Sequence, residues 1–231
     1  MSNIINDKVL EYINGYYKPL GAELAAFRED AEERRIPIIL KDTESFLGML
    51  LKLVKPHRIL EIGTAVGYSA AFFAAASPAC SIVTIEREDE AHAEALSNME
   101  RLGISGRVTC LKGDAVGIMT ELASKTESDE CDCCSVCSGK EPFDFVFIDA
   151  GKSHYAEFLE CSMKLVKSGA VIVCDNILMK AKTASDEYDP AGKYKTNIRR
   201  MREFVDILTA DERLETALLA AGDGISVSIV K

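Results

Sequence analysis

The sequence predicts an α/β fold in which helices cover both faces of a mostly parallel sheet and an antiparallel hairpin closes the chain. Three observations predict it. Five short runs rich in β-branched and aromatic residues, 58–62, 81–85, 107–111, 143–148 and 170–174, alternate with helical stretches. Such alternation makes parallel strands joined by right-handed crossovers. A glycine-bearing turn separates the first run from its helix. Two closing runs, 214–220 and 225–230, are linked only by Ala221-Gly222-Asp223-Gly224, turn chemistry that predicts a hairpin.

Each element has a local reason. Ile5, Val9, Ile13, Tyr16, Leu20, Leu24 and Phe27 recur at spacings of three or four, an amphipathic helical pattern in two pieces divided near Gly15 and Pro19. Arg34 to Ile38 is an extended segment around Pro37. Asp42 or Thr43 can cap the next helix, whose apolar face is Phe46, Leu47, Leu50, Leu51 and Val54. Residues 1–55 thus form an N-terminal helical cap that could cover the active site or a dimer face. Further helices are expected at 67–76, 89–102, 115–123, 154–167 and 195–209. The stretch 124–141, SKTESDECDCCSVCSGKE, breaks the pattern and reads as a Cys-rich surface insertion. Its Cys131, Cys133, Cys134 and Cys137 could hold Zn²⁺, although CxCCxxC is not a pair of separated CxxC motifs; an inert loop is the alternative.

The whole chain sets bounds. With 231 residues and 48% hydrophobic content, one domain spanning 1–231 can bury a full core. No apolar run reaches the roughly 18 residues of a membrane span. The N-terminus is polar and acidic, unlike a secretory signal, so the eight cysteines are expected reduced and the protein cytoplasmic. A net charge of −10 argues against gross adhesion to nucleic acid or anionic membrane. From Lys180 to Arg202 the balance reverses, with seven bases against three acids. Lys180, Lys182, Lys193, Lys195, Arg199 and Arg200 are candidate RNA contacts; a solvated helix face is the alternative.

The strongest motif is Leu60-Glu61-Ile62-Gly63-Thr64-Ala65-Val66-Gly67-Tyr68-Ser69. A strand ends at Ile62, Gly63 and Gly67 let backbone approach a ligand, and a helix N-terminus beyond favours an anion. The GxxxG spacing differs from the GxGxxG of a pyrophosphate loop. It suits a cofactor whose anion is a single carboxylate, with an ammonium that Glu61 or a nearby acid can offset. Glu86 ends the second run, where an acid about 20 residues past the glycine loop hydrogen-bonds a ribose diol. In Gly113-Asp114-Ala115, Asp114 could accept from an adenine amino group or cap the next helix.

The fourth and fifth runs end in Ile148-Asp149-Ala150-Gly151-Lys152-Ser153-His154-Tyr155 and Cys174-Asp175-Asn176, at the carboxyl edge of the sheet where ligands bind in such folds. Asp149, Asp175 and Asn176 offer three oxygen ligands, which suit Mg²⁺ first and Mn²⁺ or Ca²⁺ next. Vicinal oxygens of a substrate could complete the shell, and the ion would lower the pKa of the bound hydroxyl. Lys152 could take that proton or stabilise the oxyanion. The alternative is that these acids cap helices or meet the cofactor ammonium. His57, His92 and His154 show no mutual spacing that suggests a site.

LEIGTAVGYS, TIE, KGDA, FDFVFIDAGKSHY and DN resemble, in order, the motifs of the cation-dependent O-methyltransferases, the group that includes catechol and caffeoyl-CoA O-methyltransferases. The resemblance covers roughly residues 35–231 and implies a Rossmann-like S-adenosylmethionine methyltransferase sheet. It implies cofactor contacts at Glu61, Gly63, Tyr68, Ser69, Glu86, Asp114 and Ala115, with Gly67 in the same loop and Asp149 also near the cofactor. It implies metal at Asp149, Asp175 and Asn176, and a base at Lys152; a homodimer is expected as well. RRIPIILKDTESFLGMLLKLVKPHRILEIGTAVGYS, the pair Ala150-Gly151 and the ending AGDGISVSIVK are most similar to bacterial tRNA 5-hydroxyuridine methyltransferases. Small residues at 150 and 151 leave the mouth open for a flipped nucleotide rather than gripping a small catechol. Three functions follow: methylation of 5-hydroxyuridine in the tRNA anticodon loop, methylation of a catechol-like or caffeoyl-CoA-like phenol, or a noncatalytic cofactor-binding or scaffolding protein.

Overall fold

The computed structural model describes residues 4–124 and 141–231, so the Cys131–Cys137 cluster and most of the expected insertion lie outside the described residues. Seven strands form one sheet: β1 Arg58–Ile62, β2 Ser81–Glu86, β3 Val108–Lys112, β4 Phe143–Ile148, β5 Val166–Cys174, β6 Leu214–Leu219 and β7 Ile225–Val230. Their order is β3-β2-β1-β4-β5-β7-β6. The first five run parallel, and β7 lies antiparallel between β5 and β6. Helices α1 Asp7–Asn14, α2 Ala22–Glu33, α3 Lys41–Val54, α4 Tyr68–Ala76, α5 Asp89–Arg101, α6 Ala115–Ser124, α7 Tyr155–Met163 and α8 Lys195–Ala210 complete the described fold.

The central strands are apolar on both faces because both are covered, as parallel crossovers require. In β1 every residue is buried. Ile59 of β1 and Phe145 and Phe147 of β4 enter the core under α3, α4 and α5, where Phe73 meets Phe147 edge-on at 5.3 Å. Leu60, Ile62, Val146 and Ile148 enter the opposite core, built on Tyr155 and Phe204, whose rings meet at 5.3 Å. The two-residue period of a strand thus serves two cores at once.

Three boundary expectations are corrected. The helix expected at 154–167 is α7 only, preceded by a 3₁₀ turn at Lys152–His154. Leu165 and Val166 leave it to start β5, where Val166 pairs with Phe143, so β5 begins four residues before 170. Neither Asp42 nor Thr43 caps α3, whose N-cap is Leu40 without a side-chain bond. Asp42 Oδ2 instead accepts the Gly222 N–H at 2.7 Å, tying the closing hairpin turn to α3. The N-terminal pattern does divide into α1 and α2, around Gly15 and Pro19.

Candidate active site

The sheet order reverses between β1 and β4, and loops leaving the carboxyl ends of neighbouring strands diverge there. A cavity of about 880 Å³ opens at this edge. Its wall includes Gly63, Tyr68, Ser69, Glu86, Asp114, Ala115, Asp149, Lys152, Asp175 and Asn176, which gathers most of the sequence-predicted residues in one place. Glu61 and Gly67 stand behind that wall.

The glycine loop owes its path to three positive-φ residues, Gly63 at 99°, Ala65 at 46° and Gly67 at 88°. A Cβ on Gly63 would collide with the Asp149 carbonyl oxygen, so glycine is what lets the β1 loop lie against the β4 tip. Asp149 N donates to Ile62 O at 2.9 Å across the same junction. The helix α4 begins here with no side-chain cap, and its first residues, Tyr68 and Ser69, line the cavity. Uncapped N–H groups at a helix start favour an anion. The Tyr68 hydroxyl does not face a ligand: it donates to Glu44 Oε2 at 2.7 Å and accepts from Arg28 Nε at 3.1 Å, deep in the core.

Glu61 is fully buried and accepts from Thr84 Oγ1 at 2.6 Å. Burial pushes its carboxyl up to about 8, against the pull of the Ser69 and Thr84 hydroxyls. One Glu61 oxygen thus braces the loop from behind through Thr84, while Oε1 is buried without a hydrogen-bond partner among the described residues. Glu86 braces the loop from the side: Oε2 accepts from Ala65 N at 2.8 Å, and Oε1 accepts from Arg87 N and Glu88 N at 2.8 and 2.9 Å. A carboxylate has about four acceptor positions, so capacity remains for a hydroxyl. Asp114 caps α6 through Gly117 N at 2.9 Å while staying on the cavity wall, so the capping alternative is realised.

The corner below β4 and β5 gathers oxygens around one cation. Lys152 Nζ lies 2.8 Å from Asp149 Oδ1, 2.7 Å from Asn176 Oδ1 and 2.9 Å from the Tyr155 hydroxyl. Asp175 is 2% exposed, and its Oδ1 accepts from Asn176 N at 2.6 Å. Burial, then the neighbouring Asp149 charge, pushes the Asp175 carboxyl up to about 8. Two acids and an amide, one acid buried against the other, are a donor set that a divalent cation would relieve, and a lysine ammonium already rests between two of the three predicted ligands. Among the described residues no group of three His, Cys, Asp or Glu side chains is placed to hold a metal ion, and this corner brings two acids and an amide.

Asn176 (φ 57°) opens a strained stretch that includes Met179, Lys180 and Ala181, all left-handed. For residues with a Cβ this costs roughly 1–2 kcal/mol each. Sequence reading missed Tyr155, whose hydroxyl also donates to Asp175 O at 2.9 Å; its place three residues after Lys152 was the available signal. Leu10, from the helical cap expected to cover the active site or a dimer face, also lines the cavity, and so do Pro37–Leu40, whose place there sequence reading missed. His154 lines the cavity and sits beside Glu157 at 3.0 Å.

The basic run is split. Lys180 lines the cavity. The ammonium groups of Lys182 and Lys193 stand over the Tyr194 ring at 5.3 and 5.4 Å. Arg199 approaches Glu203 at 3.6 Å, Arg200 donates to Ser153 O at 3.1 Å, and Lys195 begins α8. Arg202 is a structural tie, bonded to Thr183 O at 2.8 Å and Asp186 at 2.7 Å. The seven bases therefore do not form one solvated helix face.

The fold and site define a class: a methyltransferase sheet with its cofactor loop after β1. Residues 22–230 match the O-methyltransferase family model, and the chain belongs to that family of S-adenosylmethionine-dependent enzymes. It is 34% identical to a caffeoyl-CoA O-methyltransferase of Populus kitakamiensis over 80% of this chain and 75% of that one. It is 28% identical to a catechol O-methyltransferase of Niastella koreensis, covering 98% and 100%. An O-methyltransferase from Bacillus cereus in complex with SAH superposes with a TM-score of 0.78 at 25% identity, covering 97% of each chain. The O-methyltransferase TomG of Streptomyces achromogenes, solved with SAM, gives 0.77 at 26%, covering 98% and 96%. No helix among the described residues is long and apolar enough to cross a membrane.

Proposed function

We propose that this cavity methylates a hydroxyl whose neighbouring oxygen chelates Mg²⁺ held by Asp149, Asp175 and Asn176, and that the acceptor is 5-hydroxyuridine in a tRNA anticodon loop. The observation that carries the reading is the meeting of Lys152 with Asp149 and Asn176 beside the cofactor loop. S-adenosylmethionine supplies the electrophilic methyl group, and the cation supplies the Lewis acidity that makes a hydroxyl acidic near neutral pH. The α4 N-terminus suits the cofactor carboxylate, and Glu86 suits its ribose. Lys152 takes the acceptor proton at Nζ or, protonated, steadies the oxyanion. Tyr155 and Asp149 fix where that nitrogen points. The vicinal O4 and O5 of 5-hydroxyuridine present two oxygens as a catechol does, and Ala150 and Gly151 leave room for a flipped base.

In the same reading Lys180, Lys182, Lys193, Lys195, Arg199 and Arg200 flank the entrance for an RNA backbone. Exposed apolar side chains on α1 (Val9, Tyr12), just after it (Tyr16) and on α3 (Met49, Leu53) would be covered by a second copy. The second reading, a small phenolic acceptor, is favoured by the caffeoyl-CoA and catechol enzymes to which the chain is similar.

Two outcomes are expected. Glu86→Ala should weaken S-adenosylmethionine binding about tenfold or more, by loss of charge-assisted bonds and of the Ala65 anchor; unchanged affinity by calorimetry would remove Glu86 from the site. Replacing Lys193, Lys195, Arg199 and Arg200 together by Ala should flatten the salt dependence of tRNA affinity and leave cofactor affinity alone. A quadruple variant that binds and modifies tRNA like its parent would favour the phenolic reading.

A further inference from the structure

Of the six bases named above, Lys180 lines the cavity and the other five do not. Three Lys or Arg side chains belong to the wall among the described residues: Arg87, Lys152 and Lys180. Arg87 pairs with Glu88 at 2.9 Å, and Lys152 pairs with Asp149 at 2.8 Å. The Lys180 ammonium enters no ion pair among the described residues. It is thus the wall cation without an ion-pair partner within 4 Å, although the nearby Asp223 carboxyl, also on the wall, feels its charge.

The backbone that carries Lys180 is held in an unusual shape. Met179, Lys180 and Ala181 are consecutive left-handed residues, at φ 49°, 58° and 68°. L-residues adopt this conformation rarely, and such outliers persist where the surroundings over-determine them. Here the closing hairpin does so. Asp223 Oδ1 accepts the Lys180 N–H, Asp223 O accepts from Leu178 N at 3.0 Å, and Gly224 O accepts from Ile177 N at 2.9 Å. One Asp223 oxygen is therefore engaged by the turn that presents the lysine. The placement is also selective. β2, which ends at Glu86, and β5, which leads to Lys180, are separated by β1 and β4. Three inter-strand steps span roughly 14 Å. Lys180 therefore stands on the β5 side of the cavity with Asp175 and Asn176, away from Glu86, which suits the cofactor ribose.

We propose that the Lys180 ammonium binds an anionic oxygen group, a phosphate or a carboxylate, carried by the acceptor beside its reacting ring. The inference rests on the reading of this cavity as an O-methyl-transfer site and narrows its acceptor to an anion. It makes Lys180 a specificity residue, since the group it binds does not react.

Calorimetry on the full chain loaded with SAH and Mg²⁺ tests it without turnover. The probes are two matched pairs: 5-hydroxyuridine with its 5′-monophosphate, and catechol with 3,4-dihydroxycinnamate. The anionic member of at least one pair should bind about tenfold more tightly than its neutral partner, the scale of one charge-assisted contact. Lys180→Gln should abolish that preference and Lys180→Arg should keep it, with SAH affinity unchanged in both. A preference in the phosphate pair points to a nucleotide, and one in the carboxylate pair to a phenolic acid. Equal binding within both pairs, failure of both anions to bind, or a preference that survives Lys180→Gln would overturn the proposal. If the anion preference stands while tRNA is not methylated, only the RNA reading fails.

Discussion

Replacing Lys152 by alanine is expected to lower kcat by roughly 10²–10⁴-fold, the range for loss of a positioned general base. Among the described residues its Nζ is the nitrogen that reaches Asp149, Asn176 and Tyr155 together, so no described neighbour takes its place without moving. Lys152→Arg should not rescue turnover, because a guanidinium stays protonated and cannot accept the acceptor's proton. Mg²⁺ affinity should hold or rise in Lys152→Ala, since the ammonium that shares oxygens with the ion is gone. Single-turnover rates with saturating S-adenosylmethionine and acceptor measure the first effect, and calorimetry of Mg²⁺ measures the second. A Lys152→Ala enzyme within tenfold of its parent would remove this residue from proton transfer.

Gly63→Ala should weaken S-adenosylmethionine binding about a hundredfold or more, equivalent to roughly 3 kcal/mol. Two costs combine. The residue sits at φ 99°, which a side chain disfavours, and its Cβ would strike the Asp149 carbonyl oxygen. A collision with backbone cannot be relieved by a rotamer change, so the loop must lift from the β4 tip. That junction joins the glycine loop to Asp149, so catalysis should fall with binding. Calorimetry on a variant whose circular dichroism matches the parent measures it. Cofactor affinity within threefold of the parent would mean that the ligand does not sit against this loop.

The fold was legible because its signals are local and repeated. Alternating apolar runs, a glycine turn after β1 and a Gly-Asp-Gly hairpin turn fix strand directions through chain connectivity alone. The 154–167 helix failed because Leu165 and Val166 suit either a helix end or a strand start; pairing of Val166 with Phe143 decides it. Asp42 looked like a cap, yet a contact 180 residues away in sequence claims its carboxylate. The same holds in the site. Asp149, Lys152, Asp175 and Asn176 were legible because strand ends of a parallel sheet share one edge. The commitment of the Tyr68 hydroxyl to Arg28 and Glu44 was not, because it depends on how α2 and α3 pack over α4. The inward placement of Glu61 was hidden for a similar reason: strand alternation says that a face is buried, not which neighbour makes burial tolerable. The basic run was visible as a charge reversal, but the left-handed turn that sends Lys180 into the cavity depends on Asp223, 43 residues downstream.

The most direct test of metal-assisted methyl transfer to tRNA is a labelled-methyl assay. The full chain is incubated with S-adenosylmethionine carrying a labelled methyl group, and with either tRNA bearing 5-hydroxyuridine or a panel of catechol-like phenols. Each mixture is run with Mg²⁺ and after exhaustive chelation. Label should enter the tRNA faster than any phenol, as the methyl ether of 5-hydroxyuridine. Chelation should abolish transfer, and added Mg²⁺ should restore it. Transfer that persists at full rate after chelation, or that reaches phenols while tRNA stays unlabelled, would contradict the account.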